Sequence, residues 1–96
     1  MTAQTELKIH IDSQPSQKKL TALGVRSWPI WTKEASEFPW YYEEKETCYL
    51  LAGQVSVTTD SETVTFGKGD LVTFSAGLSC TWTIHEAVRK HYCFGE

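Results

Sequence analysis

The sequence predicts an all-β barrel or sandwich with one short helix near its N-terminus. Apolar and polar residues alternate in short runs along most of the 96 residues, and helical spacing occurs in a single stretch. Turns that contain glycine separate the runs about every eight to twelve residues, which is typical of barrels and sandwiches. The chain has no internal repeat, linker or low-complexity segment. We therefore expect one domain that spans residues 1–96.

The N-terminal quarter of the chain predicts a strand followed by a helix. Residues 6–11 alternate between polar and apolar side chains, which is the pattern of a half-buried strand with Leu7 and the isoleucines facing inward. Capping residues then surround Pro15, and two leucines three positions apart precede Gly24. This pattern predicts one short helix over residues 15–23.

The next segment is rich in aromatic residues. Residues 25–31 predict a strand that Pro29 interrupts; because proline donates no backbone hydrogen bond, this strand belongs at an edge or a bulge. A polar link over residues 33–37 then leads to an aromatic strand over residues 38–42. A barrel of 96 residues is too small to bury four Trp, four Tyr and four Phe completely. We therefore expect some of these rings to form the interface of a homodimer.

From Glu46 onward the period is two almost without interruption. Glu46, Cys48 and Leu50 share one face of a strand. Gly53 is predicted to turn the chain before a second alternating run, and His85 is predicted to lie in a surface turn. The predicted strands cover residues 46–51, 55–58, 64–66, 71–74, 80–84 and 88–94.

Composition and charge exclude several classes of partner. The formal net charge is −3, and no run of basic residues is long enough to predict binding to nucleic acid. No apolar stretch approaches the roughly 20 residues that span a bilayer. The first residues lack the apolar core of a signal peptide. We expect an intracellular, cytoplasmic protein whose three cysteines are reduced thiols, because they are odd in number and form no CxxC pair.

Two motifs resemble those of the cupin family. Glu46 and Gly53 match the last two positions of the first cupin motif. Gly69-Asp70, then Gly77, then Cys80 match the spacing of the second motif. The resemblance covers residues 40–84 and implies a double-stranded β-helix, that is, a jelly-roll barrel. At the positions where cupins carry metal-binding histidines this chain has aromatic residues and a cysteine, namely Trp40, Tyr42 and Cys80.

A longer pattern resembles a narrower group within the RmlC-like cupin superfamily. It combines the aromatic stretches 28–31 and 38–42 with residues 46–51 and the ending 88–92. These segments are similar to the small single-domain cupins that are grouped with the cupin domain of (S)-ureidoglycine aminohydrolase. The resemblance implies a pocket in the barrel and leaves enzymatic activity in nitrogen metabolism as an alternative.

Glu46 is the central residue of the predicted site, because it is a carboxylate on an otherwise apolar strand face of a barrel. Such a group can act as a general acid or base, with Tyr42 and His91 as candidate partners. Cys80 is a further catalytic candidate, since it stands at a ligand position of the family. The predicted lining of the pocket consists of Trp40, Cys48, Leu50, Trp82 and Arg89.

The same residues allow other interpretations. Glu46 can instead pair with Arg89 or Lys90 and simply join two strands. We expect no cofactor; if a divalent metal binds, Glu46, Cys80 and His91 are its candidate ligands, and thiolate ligation favours zinc or iron.

Three functions therefore stay open. The first is a metal-free module that binds or senses a small metabolite. The second is an enzyme of nitrogen or carbohydrate metabolism, which either depends on a metal or uses Glu46 as an acid or base. The third is a structural protein whose barrel is packed solid.

Overall fold

The computed structural model describes residues 9–95, which form a curled antiparallel β-sheet with one α-helix. Residues 6–8 of the predicted first strand, including Leu7, lie outside the described residues. The strands are β1 (Ile9–Asp12), β2 (Ile30–Lys33), β3 (Ser36–Tyr41), β4 (Glu46–Thr58), β5 (Thr63–Gly67), β6 (Leu71–Phe74) and β7 (Ser79–Phe94). The helix α1 spans Gln17–Leu23, and a 3₁₀ turn spans Val25–Ser27.

Two long strands, β4 and β7, form the centre of the sheet. They pair with each other from Glu46 and Phe94 at one end to Thr58 and Thr81 at the other. On its edge away from β7, strand β4 pairs with β6 and then with β5. On its edge away from β4, strand β7 pairs with β2 and β3. Strand β1 pairs with β6.

The two halves of the sheet curl toward each other around one core. The ring of Phe74 on β6 lies 5.8 Å from that of Trp82 on the first half of β7, and Trp31 on β2 lies 6.1 Å from the same ring. These contacts join residues of both halves. The architecture is a jelly-roll barrel with one short helix near its N-terminus, so that the predicted fold class is confirmed.

Near the middle of β4, the alternation of inward-facing and outward-facing side chains shifts by one residue. Cys48 and Leu50 are buried in its first half, whereas Val55 and Val57 are buried in its second half. Its register against β7 shifts between Leu50 and Val55, as expected for a β-bulge. The predicted turn at Gly53 is therefore wrong: the break in the alternation marks a bulge within one continuous strand.

Gly53 is required at this bulge by both its conformation and its surroundings. Its φ of +110° lies where residues with a side chain are rarely found. A Cβ atom added here would lie 2.6 Å from the carbonyl oxygen of Ala87 and 2.9 Å from the Cα atom of Val88. The backbones of β4 and β7 thus approach too closely for any other residue.

Strand β7 continues through the predicted turn at His85. His85 is exposed in the middle of the strand, and its Nε2 atom lies 2.9 Å from the hydroxyl of Ser56 on β4. Trp82, Val88 and Lys90 are all buried, so side chains at even-numbered positions face inward on both sides of His85. The prediction of two separate strands is wrong because nothing between them reverses the chain.

The N-terminal helix forms as predicted, beginning two residues later. The side chain of Ser16 accepts a hydrogen bond from the backbone N–H of Lys19, and Gly24 ends the helix with a φ of +72°. The predicted strand over residues 25–31 is wrong in its first part, because the chain makes a 3₁₀ turn there before β2 begins after Pro29.

The helix packs on the outside of the sheet through a second, smaller apolar cluster. This cluster consists of Leu20, Val25 and Leu71, with Trp28 and Tyr49 packed against it. In residues 9–95, no helix has the length and the apolar character needed to cross a membrane.

We expect Gly53→Ala to lower the free energy of unfolding by about 3 kcal/mol, because the new methyl group adds a steric clash to an unfavourable φ. Gly24→Ala is the matched control. Its φ is also positive, but the nearest atom would be 3.6 Å from the added Cβ, so we expect a loss of only about 1 kcal/mol. Urea denaturation of both variants measures the difference. Equal losses would contradict the close approach of β4 and β7.

Candidate functional site

A cavity of about 170 Å³ opens between the two halves of the barrel. Strands β2, β3, β4 and β7 all contribute to its walls, and seven of its nine lining residues are aromatic. The lining residues are Trp31, Phe38, Trp40, Tyr42, Glu46, Trp82, Lys90, Tyr92 and Phe94. The cavity contradicts the interpretation of a barrel that is packed solid.

The two charged lining residues form a buried ion pair. The ammonium of Lys90 lies 2.8 Å from the Oε2 atom of Glu46, and the two side chains are only 6% and 4% exposed. Glu46 is the first residue of β4, and Lys90 faces the same cavity from the second half of β7. The backbone of Lys90 is paired with Leu50 rather than with Glu46. The side chain of Lys90 therefore extends along the strands to reach the carboxylate of Glu46.

Two tryptophan rings contact the same ammonium. The Nζ atom of Lys90 lies 4.8 Å from the ring centroid of Trp31 and 4.7 Å from that of Trp82. The negative faces of aromatic rings attract a cation, and more strongly where water is excluded. A carboxylate and two rings thus compensate the cost of removing the ammonium from water.

Tyr42 provides a polar group that keeps its proton. Its hydroxyl oxygen accepts a hydrogen bond of 3.0 Å from Nε1 of Trp82, and its ring stacks on Phe74 with centroids 4.6 Å apart. Burial, and next the nearby carboxylate of Glu46, raise the pKa of Tyr42 well above its usual range. The phenol therefore stays neutral at physiological pH and can donate a hydrogen bond.

The structure brings four of the predicted site residues together around the cavity. Trp40, Tyr42, Glu46 and Trp82 all line it. Cys48 and Leu50, also predicted to line the pocket, do not line the cavity; both are fully buried in the hydrophobic core. Their side chains follow Glu46 on the inward face of β4 but are already covered by other core residues.

Arg89 and His91 point away from the cavity, which corrects their predicted roles. Arg89 is exposed. The Nδ1 atom of His91 lies 2.9 Å from the carbonyl oxygen of Trp28, and His91 does not line the cavity. The physical reason is the alternation of side chains along β7: Trp82 and Lys90 face the cavity, so Arg89 and His91, at the intervening positions, face the other way.

Cys80 is not an activated nucleophile in this structure. Its thiol points to the backbone carbonyl oxygen of Trp40, at 3.6 Å, and it is not among the lining residues. Burial raises the pKa of Cys80 to about 11 and that of Cys48 to about 12. Both cysteines are therefore thiols at neutral pH, whereas nucleophilic attack requires the thiolate.

Lys90 is the cavity-lining residue for which the sequence gives the least direct signal. Lysine is rarely buried, so pattern alone favours the solvent face, and the sequence suggests Lys90 only as a strand-joining partner of Glu46. Its even spacing from Trp82 along an unbroken strand is the signal that identifies it. Even spacing from Trp82 also identifies Tyr92 and Phe94 as residues that face the cavity. In the same way, the spacing of two residues from Trp40 identifies Phe38.

The side chains at the cupin ligand positions do not fit a metal ion. Within the described residues, no three His, Cys, Asp or Glu side chains form a group that can hold one. The thiol of Cys80 and the ring of His91, both candidate ligands, point to backbone carbonyl groups instead. Glu46, the remaining candidate, already binds the ammonium of Lys90.

Comparisons with known proteins identify related domains. The family model of the EutQ-like cupin domain matches residues 20–92. The crystal structure of a DUF861 family protein from Thermotoga maritima is 52% identical in sequence, with a TM-score of 0.84 over 93% of this chain and 99% of that chain. No curated protein sequence matches this chain.

Two EutQ structures show the same fold at lower identity. A putative ethanolamine utilization protein Q from Salmonella typhimurium is 24% identical, with a TM-score of 0.63 over 69% of this chain and 54% of its own. The EutQ protein of Clostridium difficile is 18% identical, with a TM-score of 0.64 over 69% of this chain and 52% of its own. This chain thus aligns with about half the length of these two proteins.

We expect the buried ion pair to show strong energetic coupling. Lys90→Met leaves the Glu46 carboxylate buried without a cation, so the free energy of unfolding falls by about 3–5 kcal/mol. Glu46→Gln costs less, because two tryptophan rings still contact the ammonium. The double variant removes both charges, and its loss is smaller than the sum of the two single losses.

The control is the surface pair of Asp12 and Lys19, whose side chains are 28% and 50% exposed. Lys19→Met should cost less than about 1 kcal/mol, because water solvates the remaining carboxylate. Urea denaturation of all variants measures these losses. Additive effects of Glu46→Gln and Lys90→Met would contradict the coupling.

Proposed function

Since this chain belongs to the family of EutQ-like cupin domains, we propose that it binds a small organic molecule inside the barrel and without a metal ion. The observation that carries the proposal is an ion pair buried at the wall of an open aromatic cavity. Here the two charged groups are the polar centre of an otherwise apolar surface, which is the usual composition of a ligand site.

Each lining residue has a definite part in the proposed binding. The aromatic walls contact the apolar body of the ligand and exclude water. Lys90 and Tyr42 donate hydrogen bonds to its polar group, and Glu46 accepts one from it. Because the polar groups are already held by Trp31 and Trp82, little ordering entropy is lost on binding.

A second function, acid–base catalysis, is favoured by the presence of Glu46, Lys90 and a protonated Tyr42 in one apolar cavity. A carboxylate that accepts a proton beside two donors that stabilise developing negative charge is a common catalytic arrangement. The resemblance to the cupin domain of ureidoglycine aminohydrolase extends this alternative to nitrogen metabolism, and carbohydrate metabolism stays a further alternative. In such an enzyme, Glu46→Gln abolishes turnover and leaves substrate binding measurable.

We also propose that the protein is a cytoplasmic homodimer. Four large apolar side chains, Ile30, Trp40, Tyr41 and Phe94, are between 43% and 56% exposed, and a second copy would cover such a surface. Light scattering at tens of micromolar protein measures the mass in solution. A monomer mass would contradict the dimer.

The binding proposal is tested with phenol, whose ring and hydroxyl match the walls and the ion pair. The indole N–H signals of the four tryptophans are followed by NMR during a titration. We expect the signals of Trp31 and Trp82 to shift and saturate, while that of Trp28, which packs in the other cluster, stays in place. The Glu46→Gln/Lys90→Met variant should bind phenol more weakly.

The matched control for this titration is the Asp12→Asn/Lys19→Met variant. It removes an ion pair of the same type from the surface, so phenol binding should be unchanged. The proposal fails if no tryptophan signal shifts, or if the signal of Trp28 shifts as much as those of the lining residues.

A further inference from the structure

We propose that the cavity selects an uncharged, flat ligand whose polar edge carries a hydrogen-bond acceptor beside a donor, such as a carboxamide on an aromatic ring. This inference rests on the proposed binding function and defines the class of ligand. Three features of the cavity lead to it: its net charge, the hydrogen-bonding capacity that the ion pair leaves open, and the shape of its walls.

The charge of the cavity is balanced before any ligand enters. Glu46 and Lys90 are the only Asp, Glu, Lys or Arg side chains among its lining residues, and they lie 2.8 Å apart. Lys90 would attract an anionic ligand, but Glu46 would repel it. Glu46 would attract a cationic ligand, but Lys90 would repel it. Either would also lose its hydration without a free counter-charge, which is a large cost in an apolar site.

The ion pair leaves both a donor and an acceptor available. An ammonium has three N–H donors, and Lys90 Nζ donates a hydrogen bond to Glu46 Oε2. Every fully buried side-chain N or O atom of the described residues has a partner. A carboxylate can accept about four hydrogen bonds, and the bond from Lys90 occupies one site on Oε2, so Glu46, which lines the cavity, can accept another.

A ligand edge with an acceptor beside a donor matches this arrangement. The acceptor takes an N–H of Lys90, or the O–H that Tyr42 retains, and the donor meets an acceptor site of the Glu46 carboxylate. A ligand with an acceptor alone would leave that acceptor site without a hydrogen-bond partner. Leaving a buried acceptor unpaired lowers affinity, so the site discriminates between the two ligands.

The walls of the cavity favour a single flat ring. The rings of Phe38 and Trp82 are nearly parallel, with 17° between their planes, and Trp31 meets Trp82 at 76°. Planar aromatic surfaces gain from stacked and edge contacts with another ring. A cavity of about 150 Å³ in another protein accepts benzene, so the 170 Å³ here suit one substituted ring.

The test uses three probes of almost the same shape: benzamide, which is neutral, benzoate, which is an anion, and benzamidinium, which is a cation. Their affinities are measured by calorimetry, and the tryptophan N–H signals report where they bind. For the unmodified protein we expect benzamide to bind at least about tenfold more tightly than either charged probe.

Two variants should each replace the preference for benzamide by a preference for one of the charged probes, and the preferred charge differs between them. Glu46→Gln leaves the charge of Lys90 unbalanced, so benzoate should become the tightest of the three probes. Lys90→Met leaves the charge of Glu46 unbalanced, so benzamidinium should become the tightest. Glu37→Gln and Lys18→Met are the matched controls, because they make the same changes at exposed positions outside the cavity. Both controls should keep the preference for benzamide.

The possible failures of this proposal and of the binding function are distinguishable. If no probe binds to the unmodified protein or to any variant, the binding function and this inference both fail. If the probes shift the signals of Trp31 and Trp82, but benzoate or benzamidinium binds as tightly as benzamide, the selection is wrong and the binding function stands. If a single variant does not fold, the neutral Glu46→Gln/Lys90→Met variant decides, since it must still prefer benzamide to both ions.

Discussion

The rest of this structure depends on which side chains of the two long strands, β4 and β7, face the interior of the barrel. Strand β7 keeps one inward alternation over sixteen residues, whereas β4 must change its phase where it passes from one half of the sheet to the other. The bulge at Gly53 allows this change without ending the strand. As a result Glu46 on β4, and Trp82 and Lys90 on β7, all face the same interior. A strand pair without the bulge would have turned one of these groups toward solvent.

The interior that results uses the same aromatic rings for two purposes. Trp31 and Trp82 form walls of the cavity, and they also stabilise the ammonium of Lys90. A ligand that stacks on either ring would therefore touch the group that holds the charge in place. Binding and the electrostatics of the ion pair are coupled through these two rings, so that a change of either tryptophan affects both.

The sequence predicts the class of this fold well and the site in part. Turn glycines, the helix cap and the period of two identify the barrel, the short helix and the central Glu46, because these signals are local. The sequence does not distinguish a turn from a bulge at Gly53, since both interrupt the alternation. It likewise places a turn at His85 within the continuous strand β7, and it leaves the partner of Glu46 open between Arg89, Lys90 and His91. Side chains that meet across strands depend on such phases, and local pattern does not determine them.

In the proposed metal-free site, the buried ammonium of Lys90 takes the place of the positive charge that a metal ion supplies in other proteins. Its positive charge is made with the polypeptide, so that it requires no uptake, no delivery and no selection among competing ions. Chelators do not remove it, and it has no accessible change of oxidation state. A single positive charge polarises a bound oxygen less than a divalent ion does. The proposed site thus exchanges electrophilic strength for independence from a supply of metal.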